Sequence, residues 1–542
     1  FMFALIHVLL HERQIGELDV TFLRDRTASP YLIGPNGYYM RHAETREPLV
    51  WDSRTQSAVA HNTPDAKPEL EGRHRVSGIE RGPDDVLWRH EDVEAITAHS
   101  ALRDHVAGYS PEWAAEICDI EPSTIRRIAN EFLDHAKIGA TVEIEGETLP
   151  YRPVGVVLGK SVNNGWGAYP CVWARTVLAC LVGGLEVPGG TIGTATNLNR
   201  PRNRVDSVRP GEDGFMNLNF NPTEKGRWAE NPKSRNAYNM LIPLVGDTAA
   251  SPALGPTHLP WLFQDEPASG LPPFTVPDVW IVYRTNPGVS SWDAPYVTEK
   301  MAELPFTIAF AYTLDESNYM ADVLLPDATD LESTQLIKMG GTSYMEQFWR
   351  HVGYGLRQPV VSPPGEAKDF SEIAQELAKR TGLLESYNKM INKGMAGVKL
   401  KTEKYDFSID ESCEHSVDEI WDHVCRAASA ELTDGEHSDG LAWYKEHGFR
   451  FRKYSQLNWY LYPRMRELNL RFELPYQERY LRVGQQLGNR LHEKNIDWWD
   501  EQLKEYESFP EWRDFPAIWE QGIIRSGRSP DDFPFWLVTA NS

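Results

Sequence analysis

Three hydrophobic runs in the middle of this sequence each break into a polar turn. PVGVVLGK gives way to SVNNGWGAYP, VWIVYR to TNPGVSSWD, and PFTIAFAY to TLDESNYM. A buried strand that exits into Asn, Pro, Gly, Thr and Asp offers amides, hydroxyls and a carboxylate just where ligands of parallel α/β sheets sit, outside the carboxyl ends of the strands. Asn163, Asn164, Gly165, Asn286, Pro287, Thr313 and Asp315 are therefore expected along one edge, facing a polar ligand with a heterocyclic base. Taken singly, each is also an ordinary turn former; three in register carry the expectation.

Other groupings compete for attention. CEHSVDEIWDHVC places Cys413, His415, His423 and Cys425 within one short stretch, which invites a zinc reading. Ser416 and Glu419 fit a capping box that opens a helix, and the C-x₂₋₄-C spacing of structural zinc sites is missing. Arg200, Arg202, Arg204 and Arg209 stand in an otherwise acidic chain. They suit pyrophosphate or an anionic substrate, though pairing with surface carboxylates is the preferred reading. Trp166 and Tyr169 either wall a funnel or pack a core, and HEKNIDWWDEQ lacks the H-E-x-x-H spacing of a zinc hydrolase. There is no G-x-G-x-x-G and no G-x-x-x-x-G-K-[ST], so neither a nicotinamide Rossmann site nor a P-loop is supported.

Composition bounds the partners. The 542 residues are 41% hydrophobic and 11% aromatic, enough for two or three structural units. With 55 Lys and Arg against 78 Asp and Glu, the formal charge of -23 argues against nucleic acid as a main partner. The five cysteines form no C-x-x-C pair, so no disulfide framework or iron–sulfur site is written here. The opening FMFALIHVLL is too short to span a bilayer and reads as a helix from within a longer protein.

The elements that must position the turns follow from periodicity. Residues 1–13 fit a helix with Phe1, Leu5, Val8 and Leu9 on one face. Residues 29–100 read as a hairpin insertion, and 110–135 as a helical pair, with Ser110 as N-cap, Pro111 just inside, and Ile125, Ile128, Ala129 and Phe132 on one face of the second helix. From 151 to 385 strands and helices alternate, the sign of a parallel α/β sheet. Residues 386–530 are charged, aromatic and helical, with Tyr476, Tyr480, Val483, Leu487 and Leu491 at helical intervals.

At these pieces the chain resembles a known family. FMFALIHVLLHERQIGELDVTFLRDRT, YSPEWAAEICDIEPSTIRRIANEF, GKSVNNGWGAYPCVWARTVLACLVGGLEVPGGTIG, YRTNPGVSSWD, FTIAFAYTLDESNYMADVLLPDATDLES and LRQPVVSPPGEAKDFSEIAQELAKRTG keep the order found in large catalytic subunits of the dimethyl sulfoxide reductase superfamily. The resemblance covers most of residues 1–27 and 110–382. It implies an α/β fold: a parallel-sheet nucleotide-binding domain of the molybdopterin oxidoreductase type over 151–385, with a hairpin insertion, a helical carboxyl-terminal region, and in 531–542 the first strand of a further pterin-binding domain. Residues 1–150 would then end a preceding α/β domain.

The resemblance also implies molybdenum or tungsten on two pyranopterin guanine dinucleotides, with Lys160, Asn163, Asn164, Gly165, Asn286, Pro287, Thr313, Asp315 and Asp322 contacting one of them. The reaction implied is a two-electron oxygen-atom transfer or hydroxylation, with electrons relayed through iron–sulfur clusters to an iron–sulfur partner, as in anaerobic respiration. The [4Fe-4S] cysteines and the metal ligand of the family lie upstream of the segment matched by Phe1. No catalytic residue is therefore assigned, and the chain alone is expected to be inactive. Membrane association would come through partner subunits, in either the cytoplasm or the periplasm. SVNNGWGAYP lacks a His that several relatives carry near this point, which leaves the substrate class open. The alternatives are a non-catalytic electron-transfer or scaffold subunit of the same fold, and an unrelated nucleotide-binding module complete within 150–382.

Overall fold

The computed structural model describes residues 1–158, 168–192, 208–218, 278–290, 294–339, 351–493 and 500–513, with 495, 497, 527–529 and 532. Two compact units emerge. One gathers Phe1–Thr194, Arg204–Pro252 and Leu457–Ser542; the other gathers Ala195–Asn203 and Ala253–Gln456.

The first unit begins with α1 (Met2–His7), which runs into a π-helical turn at Val8–Glu12. Phe3, Ala4, Leu5, Ile6, Val8 and Leu9 are all buried, whereas Phe1 is exposed. The expected single apolar face is thus replaced by a helix enclosed on most sides, because α1 shares one core with the next helices of the chain. After α2 (Val20–Arg26) comes the insertion: β1 (Leu32–Ile33), β2 (Leu49–Asp52), β3 (Ser57–Ala60), β4 (Arg73–Arg81) and β5 (Leu87–Thr97). β2 and β3 form a hairpin, and β1-β5-β4 an antiparallel sheet.

Next come α3 (Ala98–His105), α4 (Pro111–Cys118) and α5 (Pro122–His135). Ser110 accepts from Trp113 N at 3.2 Å and Pro111 takes the first turn, so α4 starts where sequence chemistry puts it. Ile125, Ala129 and Leu133 are the buried side of α5. β6 (Thr141–Ile144) and β7 (Glu147–Pro150) make a small hairpin, and α6 (Ala168–Leu181) closes the core. β8 (Val208–Pro210) and β9 (Met216–Leu218) form a second short hairpin.

The second unit carries the parallel sheet. β10 (Trp280–Tyr283), β11 (Thr307–Ala311) and β12 (Val323–Pro326) pair in that order, with Trp280 beside Thr307 and Ile308 beside Val323. The connection from β10 to β11 passes through α7 (Ala294–Ala302), whose Val297 and Met301 pack against Trp280. β13 (Gln335–Met339) and β14 (His351–Arg357) pair antiparallel, and α8 (Phe370–Arg380) is capped by Asp369, which accepts from Ser371 N at 2.8 Å. α9 (Leu384–Lys393), α10 (Val417–Leu432), α11 (Leu441–His447) and β15 (Phe449–Lys453) complete this unit, β15 pairing with β14. The chain then returns to the first unit with α12 (Tyr462–Glu467) and α13 (Glu478–Glu493).

The contact pattern divides the chain differently from the expected 1–150, 151–385 and 386–530. Residues 151–194 group with the amino-terminal helices, for physical reasons that are visible. Arg152 is buried, pairs with Asp19 at 2.7 Å and donates to Val182 O at 3.0 Å, while Asp19 caps α2 through Phe22 N. Trp173 of α6 lies 5.7 Å from the Phe3 ring and donates to Pro475 O at 2.8 Å.

Among the described residues PVGVVL pairs in no ladder, and Val154 and Val156 pack into the helical core. Residues 386–456 are not purely helical, since β15 is a strand and belongs with β14. In the other helical stretch, α13 buries Leu487 and Leu491, leaves Val483 exposed, and starts two residues after Tyr476.

Candidate functional site

In a parallel sheet all strands start at one edge and finish at the other. Tyr283, Ala311 and Pro326 therefore end β10, β11 and β12 at the same edge, and the exits after β10 and β11, two of the three expected from the sequence, are brought together there.

After Tyr283, Arg284 adopts φ 48° and turns the chain toward Asn286. The Asn286 carbonyl accepts from Val289 N and Ser290 N at 3.1 and 2.9 Å, folding Pro287–Ser290 into one helical turn. After Ala311, Asp315 organises the second exit. One of its carboxylate oxygens, Oδ1, accepts from Ser317 N at 3.0 Å and Asn318 N at 2.8 Å, and Asn318 returns bonds to Asp315 N at 2.9 Å and Thr313 O at 2.8 Å. This is an Asx turn, in which a carboxylate replaces a backbone acceptor.

The two exits are joined by Ser317, which is fully buried. Its Oγ accepts from Gly288 N at 2.8 Å and donates to Asn286 Oδ1 at 2.6 Å. Glycine at 288 favours this approach: an added Cβ would lie 3.1 Å from Ser317 Oγ and push on the clamp. Asn286 Nδ2 is left to donate to Glu316 Oε2 at 2.8 Å. That bond holds the exposed Glu316 carboxyl below the usual carboxylate range.

The third strand ends beside the same edge. Asp327, 3% exposed, comes directly after Pro326 and receives Arg284 at 3.3 Å, while its Oδ1 has no hydrogen-bond partner. Burial pushes this carboxyl up, opposed by the Arg284 charge. Beneath Arg284 the Tyr283 ring stacks on Phe370 of α8 at 3.9 Å.

The nine sequence-selected residues thus fall into three groups. Asn286, Pro287, Thr313 and Asp315 come together at the carboxyl edge of β10 and β11. Asp322 does not join them. It precedes β12, and its Oδ2 accepts from Thr307 N at 2.7 Å at the start of β11, so it caps the amino edge. At about 3.3 Å per residue the length of β11 puts it more than 10 Å from the others. Lys160, Asn163, Asn164 and Gly165 lie outside the described residues.

Sequence reasoning missed Ser317, Glu316, Arg284 and Asp327. The D-x-S-N letters of Asp315–Asn318 are an Asx signature that pointed to the first of these. Arg284 and Asp327 are each the first residue past a strand, and strand ends alone locate them.

The rival groupings resolve into structure. His415 Nε2 and His423 Nδ1 bond to Asp410 O at 2.7 Å and Phe407 O at 2.8 Å, Cys413 is exposed, and burial pushes the Cys425 thiol up to about 12. Ser416 caps α10 by accepting from Glu419 N at 3.2 Å. Among the described residues no group of three His, Cys, Asp or Glu side chains is placed to hold a metal ion. His492 pairs with Asp500 at 2.7 Å on the surface. Tyr169 packs its ring at a tilt against Tyr480, centroids 4.4 Å apart, and donates to Glu507 O at 3.0 Å, so it packs instead of lining a funnel. Trp166, Arg200, Arg202 and Arg204 lie outside the described residues. No helix among the described residues is long and apolar enough to cross a membrane.

A parallel sheet with polar groups gathered at its carboxyl edge is the arrangement in which α/β proteins hold ligands. The family model described as molybdopterin oxidoreductase matches residues 153–380, the interval that holds this edge. Those residues match a molybdopterin oxidoreductase domain, in keeping with the resemblance of the sequence to catalytic subunits of the dimethyl sulfoxide reductase superfamily.

Among curated proteins it is 24% identical over 356 residues to a sulfite dehydrogenase subunit of Allochromatium vinosum, covering 62% of this chain and 35% of the relative. It is 24% identical over 287 residues to a trimethylamine-N-oxide reductase of Haemophilus influenzae, covering 51% and 29%. It is 33% identical over 109 residues to the thiosulfate reductase molybdopterin-containing subunit PhsA of Salmonella typhimurium, covering 20% and 13%. The chain spans about a third of the length of the first two relatives.

Proposed function

We propose that this chain is part of the catalytic subunit of a molybdenum or tungsten oxidoreductase, and that the carboxyl edge of β10 and β11 holds part of one pyranopterin guanine dinucleotide. The observation that carries the proposal is the Ser317 clamp. It ties Asn286 and Gly288 of one strand exit to Asp315 and Asn318 of the next, within the interval matched by the family.

The donor set fits such a group. Asn286 presents an amide N–H, Thr285 and Thr313 present exposed hydroxyls, and Arg284 presents a partly exposed guanidinium. Hydroxyl, amide and guanidinium groups suit ribose, phosphate and purine edges. Asp315 acts one step removed, by shaping the turn that carries Thr313 and Ser317.

When bound, the metal-dithiolene group would supply the two-electron redox chemistry, oxygen-atom transfer or hydroxylation. These residues would bind and orient the nucleotide end. The sulfite, trimethylamine N-oxide and thiosulfate in the names of the relatives suggest a small oxo-compound of sulfur or nitrogen as substrate. Two of those names are of subunits, which supports a partner of the iron–sulfur electron-transfer type. The [4Fe-4S] cluster of the family belongs, in this proposal, to protein outside these residues.

The test is metal and dinucleotide content of the full-length protein from its native source. About one molybdenum or tungsten per chain in wild type, with reduced dinucleotide retention in Asn286→Leu, is the expected result. Unchanged cofactor content in that variant would remove this loop from the site, and a metal-free wild type would favour the scaffold reading.

A further inference from the structure

The Asn286 amide has only one orientation that satisfies its neighbours. The other amide atom faces the Glu316 carboxylate, which can only accept, so that atom is Nδ2 and the one receiving the Ser317 hydroxyl proton is the oxygen. Nδ2 consequently faces outward, on the side where Glu316 lies. Both members of the Asn286–Glu316 bond are accessible, and Glu316 is well exposed. Behind them, Ser317 is fully buried. The inner half of the clamp is fixed by burial and the outer half is held by a single surface hydrogen bond.

A carboxylate on that donor resembles the acceptor atoms a nucleotide would bring, the oxygens of a phosphate or a purine carbonyl. We propose that Glu316 is an internal stand-in for the ligand, occupying the outward donor of Asn286 until an acceptor on a guanine nucleotide displaces it. This rests on the cofactor-binding reading above. Of the two N–H groups on Nδ2, the one that Glu316 holds becomes available to a ligand only when Glu316 swings away, and the population with that N–H free sets the affinity for an acceptor placed there. After displacement the carboxylate stays near an anionic ligand and repels it. Glu316 is therefore a determinant of how tightly the nucleotide is held, through competition and charge and not through contact.

The experiment is calorimetric titration of guanosine diphosphate into the full-length protein made in a host that cannot synthesise the pterin. Wild type, Glu316→Ala, Glu316→Gln and Asn286→Leu are compared, with circular dichroism confirming the fold of each. Tighter binding in Glu316→Ala, about fivefold, with a smaller gain in Glu316→Gln and loss in Asn286→Leu, is expected. Unchanged affinity in Glu316→Ala with loss in Asn286→Leu overturns the stand-in and leaves the cofactor site in place. Weaker binding in Glu316→Ala also overturns it, by making Glu316 a direct contact. Affinity unaltered by Asn286→Leu, or no binding even in Glu316→Ala, overturns both the stand-in and the reading beneath it.

Discussion

Arg284 and Asp327 are bonded across the parallel sheet, one just past the end of β10 and the other just past the end of β12, at 3.3 Å. The strand between them, β11, holds Asp327 in place: Ala311 O accepts from Asp327 N at 3.1 Å. Because Asp327 is buried and keeps one oxygen unpartnered, Arg284 is the cation that makes its charge tolerable.

Arg284→Ala should loosen this edge by roughly 1–2 kcal/mol at neutral pH, the buried-pair value reduced because Arg284 is partly exposed. Burial already places the Asp327 carboxyl above its unfolded value, and removing Arg284 places it higher. A carboxyl raised in this way contributes stability that is full below the unfolded value and lost as pH rises through the folded one. The defect should therefore shrink in acid. Hydrogen exchange of the peptide spanning β11 at pH 7 and pH 4 reads this; a defect independent of pH would show that the pair is not what holds the edge.

Ser317→Ala should cost about 1–3 kcal/mol, since it leaves Gly288 N without an acceptor and Asn286 Oδ1 without a donor. Nucleotide retention should fall with it, because the Asn286 amide is then free to rotate. Ser317→Thr keeps the hydroxyl and tests whether the bonds or the space matter. Wild-type retention in Ser317→Ala would mean that Asn286 holds its orientation unaided.

In the first unit Glu478 is fully buried between Arg41, at 2.8 Å, and Arg482, at 3.3 Å. Arg41 also holds Asp213, at 2.5 Å. Burial pushes the Glu478 carboxyl up to about 7, the Arg41 charge opposing it. Its contribution is full below roughly pH 4.3 and lost as pH rises through about 7. Glu478→Gln should therefore match wild type in acid and exceed its stability at pH 8. Urea unfolding at both pH values checks the sign, and a Gln variant weaker than wild type at pH 8 would refute it.

Gly190→Ala should be severely destabilising, by about 2–4 kcal/mol. The new Cβ would sit 2.1 Å from Gly184 O, a backbone atom that already accepts from Thr191 N at 2.7 Å and cannot retreat. Soluble yield and melting temperature report it. Near-wild-type values would mean that the turn has a second conformation.

Local chemistry made much of this legible. Ser110 with Pro111 marked the start of α4, and the apolar runs from Trp280 and Thr307 marked two strands whose exits do meet. Asp322 shares its sequence neighbourhood with Asp315 but not its edge, because a residue that opens a parallel strand belongs at the opposite edge from one that comes after it. PVGVVL reads as a strand by composition, yet a strand needs a ladder partner, and among the described residues it has none: Val154 and Val156 pack into a helical core while Val157 is exposed. The Arg41 cluster left no local trace, since Arg41 meets partners 172 and 437 positions away and charge spacing does not encode such distances.

Trp173 donates to Pro475, 302 residues further along the chain. During synthesis at about 5–20 residues per second, the ribosome needs roughly 15–60 s to deliver the segment that receives this bond. Throughout that interval the helices of residues 1–181 lack Phe472, Leu474 and Phe509, which complete their core. The first unit is thus begun early and finished last, and the nascent chain presents an unsealed apolar surface to chaperones while the whole second unit is being made.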